Sequence, residues 1–321
     1  MINGMLGDFS PSPYAPVLVI GAGGIDIVGR LHGGLETRTS NPSSIRSSFG
    51  GVARNVAENL AHLGQPVTYI TAVGEDHSGD QLVGHLRDAG VNVEFLVRCA
   101  DCPTGSYLAV LDTAGEMIFA LDDMRAISEV TSAYLRSHLD LFKHASMLFL
   151  DANLSSETLR TAFSLARRYK IPVCADPTST SLAERLLPHL DQLHMITPNT
   201  GEAGILCDSA DGITKRSQAI SAAQYLVSQG VDIAIITMAQ LGVCYATSQT
   251  NGHIPALRTE IVNPTGAGDA LTAAVLFALL NDIHLDEAIR LGVTAASLTL
   301  RYPGAVIEDL SLEKLYFELV I

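Results

Sequence analysis

The chain has 321 residues, 47% of them hydrophobic, enough for one large α/β domain or two modest ones with a sizeable core. A formal net charge of −14 argues against a nucleic-acid backbone or an anionic membrane as partner, yet leaves room for a nucleotide held locally by amides and Mg²⁺. Aromatic residues make up only 6% and Trp is absent, which disfavours a surface that stacks sugars or single-stranded bases.

Residues 1–16 are rich in Pro, Gly and Ser, without a basic or apolar leader, and read as a mobile tail. Val17–Ile20 is an apolar run closed by Gly21, as expected of a buried parallel strand. The stretch from Arg30 to Phe49 is polar and lacks helical periodicity. From Gly51 to Gly64 the apolar positions fall on one helical stripe. Val67–Val73 is the next predicted strand, and Asp80–Ala89 a helix stopped by Gly90. Thr104–Leu121 alternates around Thr113-Ala114-Gly115 and predicts a hairpin, which the extended polar stretch could join as a small separate sheet. Further strands are predicted at 146–150, 173–176, 195–197 and 233–238, and helices at 156–169, 215–229 and 268–280. Strand–helix alternation at this spacing implies a mostly parallel sheet covered on both faces, in one domain over 17–321.

No run approaches the roughly 18 apolar residues of a membrane span. The five scattered cysteines suit a reducing cytoplasm, and Cys99-x-x-Cys102 reads as a chance pair in a loop. The ten histidines form no metal-ligating cluster, and neither a P-loop nor a G-x-S-x-G elbow is present.

Five segments carry the chemistry. In Val262-Asn263-Pro264-Thr265-Gly266-Ala267-Gly268-Asp269, following a strand-like stretch, small residues open a helix and precede one carboxylate. Unhindered amides at a helix start form an anion site, and a carboxylate beside it can act as a base. Gly21-Ala-Gly-Gly-Ile-Asp26 lacks the third glycine and the distal acid of a dinucleotide fingerprint. It reads instead as a substrate site in which Asp26 takes hydroxyls, or as a glycine turn with a solvated Asp. Gly50-Gly51-Val-Ala-Arg54-Asn55 lets a ligand approach the backbone, and Asn55 suits a diol. Arg54 reads as a phosphate contact or an exposed ion pair. Asn199-x-x-Glu202 reads as a water-mediated Mg²⁺ site or a helix capping box. Thr237 ends a strand that turns at Gly242, beside a phosphate or in an ordinary turn.

In this order and spacing the segments resemble the PfkB/ribokinase family of carbohydrate and nucleoside kinases, over nearly the whole chain from Val17. The resemblance implies a ribokinase-like three-layer αβα sandwich with a small β-sheet lid built from about 29–49 and 104–121. It implies Asp269 as catalytic base, with Gly266, Ala267 and Gly268 supplying anion-hole amides. Asp26, Gly50, Gly51 and Asn55 would bind the acceptor. Asn199, Thr237, Gly242 and Thr265 would serve ATP, and Glu202 would hold Mg²⁺ through water. Gly50–Gly64, Leu121-Asp-Asp-Met124 and Asn263 are similar to the pseudouridine kinases of the family. The implied reaction is therefore ATP-dependent phosphorylation of the pseudouridine 5′-hydroxyl in the cytoplasm, by a homodimer joined through its lid. Ribokinase, an adenosine-type kinase and another sugar kinase are the alternatives within the family. A non-catalytic sugar or nucleoside sensor is the alternative of another class. Two departures stand out. Ala239 replaces the family's usual Gly, and Asn263 replaces an Asp, removing a charge from the monovalent-cation site that some relatives use.

Overall fold

The computed structural model describes residues 14–209 and 212–319. In chain order its strands are β1 (Val17–Ile20), β2 (Gly24–Leu31), β3 (Ser43–Gly50), β4 (Val67–Ile70), β5 (Ala72–Gly74), β6 (Val97–Cys99), β7 (Gly105–Leu111), β8 (Met117–Asp123), β9 (Met147–Asp151), β10 (Val173–Asp176), β11 (Met195–Ile196), β12 (Ile233–Thr237), β13 (Val243–Ala246) and β14 (Asn251–Ile254). The central sheet runs β14-β13-β12-β11-β10-β9-β1-β4. It is parallel from β12 to β4 and closes at its other edge with the antiparallel β13 and β14.

Both faces of this sheet are buried, which is why β1 is the unbroken apolar run Val-Leu-Val-Ile rather than an alternating one. Val17, Val19, Phe149 and Ile235 pack with the helices Val52–His62, Ala267–Leu280 and Leu285–Leu300. Leu18, Ile20, Leu150 and Ile236 pack with Ser156–Tyr169 and Arg216–Ser228 on the opposite face. Ala267–Leu280 is apolar around most of its circumference because it lies between the sheet's helical layer and Leu285–Leu300.

The second sheet has the order β3-β2-β7-β8, with β2 and β7 parallel and both outer pairs antiparallel. The predicted hairpin and the polar stretch do pair, but the sheet starts earlier than expected. Gly24, Ile25 and Asp26 are already in β2, so Asp26 is a strand residue and not part of a solvated turn. Other expectations are corrected too. The predicted strand Val67–Val73 is broken into β4 and β5. The approach to Val262 is irregular, anchored where the Val262 and Asn263 amides donate to Leu300 O. Cys99 and Cys102 form a disulfide instead of a chance pair. The proposed tail falls outside the described residues up to 13. Its last residues are tied down, since Ala15 O accepts from Gln65 Nε2 and Ser146 Oγ.

Candidate active site

The carboxyl ends of the parallel strands converge on one edge of the central sheet, where ligands of such folds bind. β9 ends at Asp151 and β10 at its register partner Asp176; Thr197 follows β11 and Thr237 ends β12. Asp151 is fully buried and organises the glycine segments around it. Its Oδ2 accepts from the Ala22 amide at 2.8 Å and the Ala53 amide at 3.4 Å, and its Oδ1 from the Asn153 amide at 3.0 Å. A Cβ at Gly21 would lie 2.4 Å from the Asp151 carboxyl carbon. Burial pushes Asp151 up to about 6, against those three hydrogen bonds.

Two helix starts meet in front of this edge. Gly51, at φ 101°, starts Val52–His62; Gly266, at φ 83°, starts Ala267–Leu280. Across the junction Asn55 Nδ2 donates to Asp269 Oδ2 at 2.6 Å. The first helical amides, from Ala267 to Asp269, lack carbonyl partners in the helix's own ladder, and no side chain caps them. Asn55 is buried, and its Oδ1 has no partner among the described residues. A substrate hydroxyl could donate to it.

Asp269 is half-buried. Burial pushes it up to about 7; Asp26 and Asp151 add to the shift, while Asn55 and Arg54 oppose it. A base poised there changes protonation near neutral pH, as general-base catalysis favours. Asp26 is also raised by burial. It leans over Gly50, where a Cβ would lie 2.0 Å from its Oδ1. The structure thus brings Asp26, Gly50, Gly51, Asn55 and Asp269 together.

Arg54 does not reach toward phosphate or solvent. It is 2% exposed, pairs with the equally buried Glu58 at 2.6 Å, and donates to Phe49 O and Gly50 O. It braces the chain leaving β3, and its charge acts on Asp26 and Asp269 from behind. Glu58 also receives His85 at 2.8 Å, and is held well below the usual carboxylate range despite burial by His62, His85 and Arg54.

On the other side of Gly266, a groove of about 680 Å³ is lined by Asn199, Thr237, Gly242 and Gly268 together with apolar Leu257, Val293 and Leu300. Polar groups at one end and aliphatic walls at the other suit a nucleotide's phosphates and base. Gly242, at φ 88°, cannot take a side chain, because a Cβ would lie 2.1 Å from Ile254 O. Ala239 adopts φ 48°, which explains the preference for Gly at this turn. Ala239→Gly should therefore raise stability by about 1 kcal/mol, seen as a Tm increase of about 2 °C. An unchanged or lower Tm would refute that strain.

Asn199 and Glu202 form a reciprocal capping box. Asn199 Oδ1 accepts from the Gly201 and Glu202 amides, and Glu202 Oε2 accepts from the Asn199 amide at 2.9 Å. Asn199 is thus the N-cap rather than a residue on the helix face. Asp176, absent from the sequence-based site, stands close by. Burial raises it well above its ordinary range, and the Glu202 and Asp269 carboxylates add to this. Glu202 is likewise raised by burial. A hydrogen-bond chain from Thr272 Oγ1 to Thr197 Oγ1 at 3.0 Å, and on to Asp176 Oδ2 at 3.4 Å, ties this carboxyl to the Ala267–Leu280 helix. Among the described residues no group of three or more His, Cys, Asp or Glu forms a metal cage. Mg²⁺ held by phosphates and water needs only one or two carboxylates, so the pair Asp176 and Glu202 fits it.

Asn263 is held at both ends of its amide. Oδ1 accepts from the Thr265 amide at 3.0 Å, and Nδ2 donates to Pro303 O at 2.9 Å. It thereby fixes Thr265 and the turn into Gly266.

Comparison with known proteins gives a consistent picture. A family model described as pfkB family carbohydrate kinase matches residues 15–311. The pseudouridine kinase of Escherichia coli (strain K12) is 32% identical over 297 residues, covering 92% of this chain and 94% of that one. The guanosine-inosine kinase of Exiguobacterium acetylicum is 30% identical over 289 residues, covering 88% and 93%. Arabidopsis thaliana ribokinase complexed with ribose and ATP superposes with a TM-score of 0.82 at 20% identity, covering 96% and 99%, which supports the ribokinase-like fold.

Proposed function

Because the chain belongs to the pfkB family of carbohydrate kinases, and is a phosphotransferase acting on a sugar or nucleoside hydroxyl, we propose that it phosphorylates the 5′-hydroxyl of pseudouridine with ATP. The observation that carries the chemistry is the Asn55–Asp269 contact at 2.6 Å, at a helix start whose amides are uncapped. It joins the acceptor side to the phosphate side.

In this reading Asp26 and Asn55 hold the ribose hydroxyls against the Gly50-Gly51 backbone. Asp269 takes the 5′-hydroxyl proton as its oxygen attacks phosphorus. The amides of residues 266–268, of which Ala267 and Gly268 open the helix, receive the charge growing on the transferred group. Thr237, Gly242, Asn199 and Thr265 position the nucleotide. Asp176 and Glu202 would orient Mg²⁺ through water, and the ion would neutralise charge on the phosphates. The β3-β2-β7-β8 sheet acts as a lid that excludes water from the transfer. We place the reaction in one catalytic domain over 17–321 and, where ATP is supplied, in the cytoplasm.

A panel of pseudouridine, uridine, adenosine, ribose and fructose with Mg·ATP tests the substrate. The expected result is the highest kcat/KM for pseudouridine; higher values for ribose or adenosine would reassign it.

The lid face turned away from Asp26 supports homodimerisation. Ile45, Phe119 and Leu121 alternate onto that face and are 69%, 43% and 63% exposed. Leu121→Lys with Ile45→Lys should convert a dimer to a monomer in sedimentation. A wild-type chain that sediments as a monomer would reject this assembly.

A further inference from the structure

Directly opposed residues in neighbouring strands project to the same face of a sheet. In the lid this register lines up Ser48, Asp26, Tyr107 and Asp122, one from each of the four strands. The line one step nearer the hinge begins Gly50, Gly24, Gly105. It is kept free of side chains, since a Cβ at Gly24 would lie 2.2 Å from Gly105 O. The line one step nearer the tip is Arg46, Val28, Ala109 and Ala120. Of the rows on the face that Asp26 turns toward Asp269, this is the one that is polar on all four strands, since Val28, Ala109, Ala120 and Leu111 interrupt those nearer the tip.

The row is rich in acceptors. Burial raises the Tyr107 hydroxyl pKa, and the Asp26 and Asp122 carboxylates on either side raise it further. Its only hydrogen-bond partner among the described residues is the weak acceptor Met117 Sδ, at 3.6 Å. Asp123 points to the other face and is neutralised by Arg125, at 2.6 Å. Asp122 takes part in no ion pair among the described residues. Neighbouring strands lie about 4.8 Å apart. Asp122 thus stands about 10 Å from Asp26 across β7, a gap that a ribose with its attached pyrimidine bridges when a hydrogen bond of about 3 Å is made at each end.

We propose that Asp122, assisted by Tyr107, reads the acceptor's base, selecting a pyrimidine with an additional ring N–H over its N-glycosidic isomer. This inference rests on the pseudouridine reading above. Pseudouridine carries N1–H where uridine presents C5–H, so only pseudouridine offers the carboxylate a donor at that edge. A site built to pair a polar group rejects the analogue that leaves it unpaired.

The test measures kcat/KM for pseudouridine, uridine and ribose in the wild type, Asp122→Ala and Tyr107→Phe. Asp122→Ala should lower the pseudouridine value by about 10- to 100-fold. The uridine and ribose values should each change by less than about threefold, so that the preference collapses. Tyr107→Phe should erode it in the same direction. Wild-type turnover of pseudouridine with an unchanged ratio in Asp122→Ala overturns this inference alone. An equal fall for all three substrates also overturns it, as the mark of a structural role. A wild type that turns over ribose but not pseudouridine overturns the substrate reading with it.

Discussion

Asp269→Asn is expected to lower kcat by about 10²- to 10⁴-fold and, at the same time, to raise thermal stability at neutral pH. Both effects come from one environment. Burial, reinforced by Asp26 and Asp151, pushes Asp269 up to about 7 from an ordinary 3.8. A carboxyl raised in the folded state favours folding while it is protonated. That contribution is whole below about pH 3.8 and is lost as pH rises through about 7. Asn is neutral throughout, and its Oδ1 can still accept from Asn55. The variant should therefore melt higher than the wild type at pH 8 and close to it at pH 4. In the wild type, kcat/KM should climb about tenfold per pH unit below neutrality and level off above it. A variant with near-wild-type turnover would remove Asp269 from the base role. Equal melting temperatures at pH 8 would mean that the carboxyl is not under this load.

Gly266→Ala should be the most damaging single methyl in the site. At φ 83° an L-residue is strained by about 1–2 kcal/mol, and the added Cβ would lie 2.0 Å from Ala305 O. The helix start must move, at a total cost of about 3 kcal/mol or more. The amides proposed to receive the transferring charge move with it, so turnover should fall by about 10²- to 10³-fold. Gly268→Ala is the control. Nothing lies within 4 Å of a Cβ there, and the position is helical, so stability should hold or rise slightly. Circular-dichroism melts of the two variants separate the cases. Equal melts would show that Gly266 is not required by its backbone.

The large elements of this fold were legible because their physics is local. Val17–Ile20 could only be a strand buried on both faces, and Ser156–Tyr169 keeps the length its apolar stripe implies. The pairing of two lid segments was legible from alternation, but not the point where β2 begins. Gly24 and Gly105 need their bare backbones to lie side by side, a requirement set by the partner strand rather than by the glycines themselves. The lid's polar row was hidden for the same reason, since register is a relation between segments far apart in sequence.

In the candidate site, Gly266 to Asp269 and Asn55 stand out in the sequence as candidates for a base, an anion hole and a diol partner. That they touch is a tertiary fact. Asp151 and Asp176 were missed because each is a single carboxylate at the end of an ordinary strand. Their register pairing across β9 and β10 is the signal that distinguishes them, and only the folded sheet carries it. Arg54 departs from its sequence in the opposite sense, being buried where a phosphate contact or an exposed ion pair is expected. Its burial depends on Glu58, four residues along the same helix, a pair that reads on sequence like any exposed i,i+4 contact. Of the two readings that the Asn199–Glu202 spacing allowed, the capping box is the one the hydrogen bonds display. The box fixes the helix start and leaves Glu202 near enough to Asp176 for the two carboxylates to act on each other.

The most direct measurement is identification of the product when the full chain is incubated with Mg·ATP and pseudouridine. ³¹P NMR with coupling to the 5′ protons locates the phosphate. Stoichiometric ADP and pseudouridine carrying phosphate on O5′ are expected, with the initial rate lowered by about 10²- to 10⁴-fold in Asp269→Asn. Phosphate on another oxygen, ATP hydrolysis without transfer, or undiminished transfer by Asp269→Asn would contradict the proposed reaction.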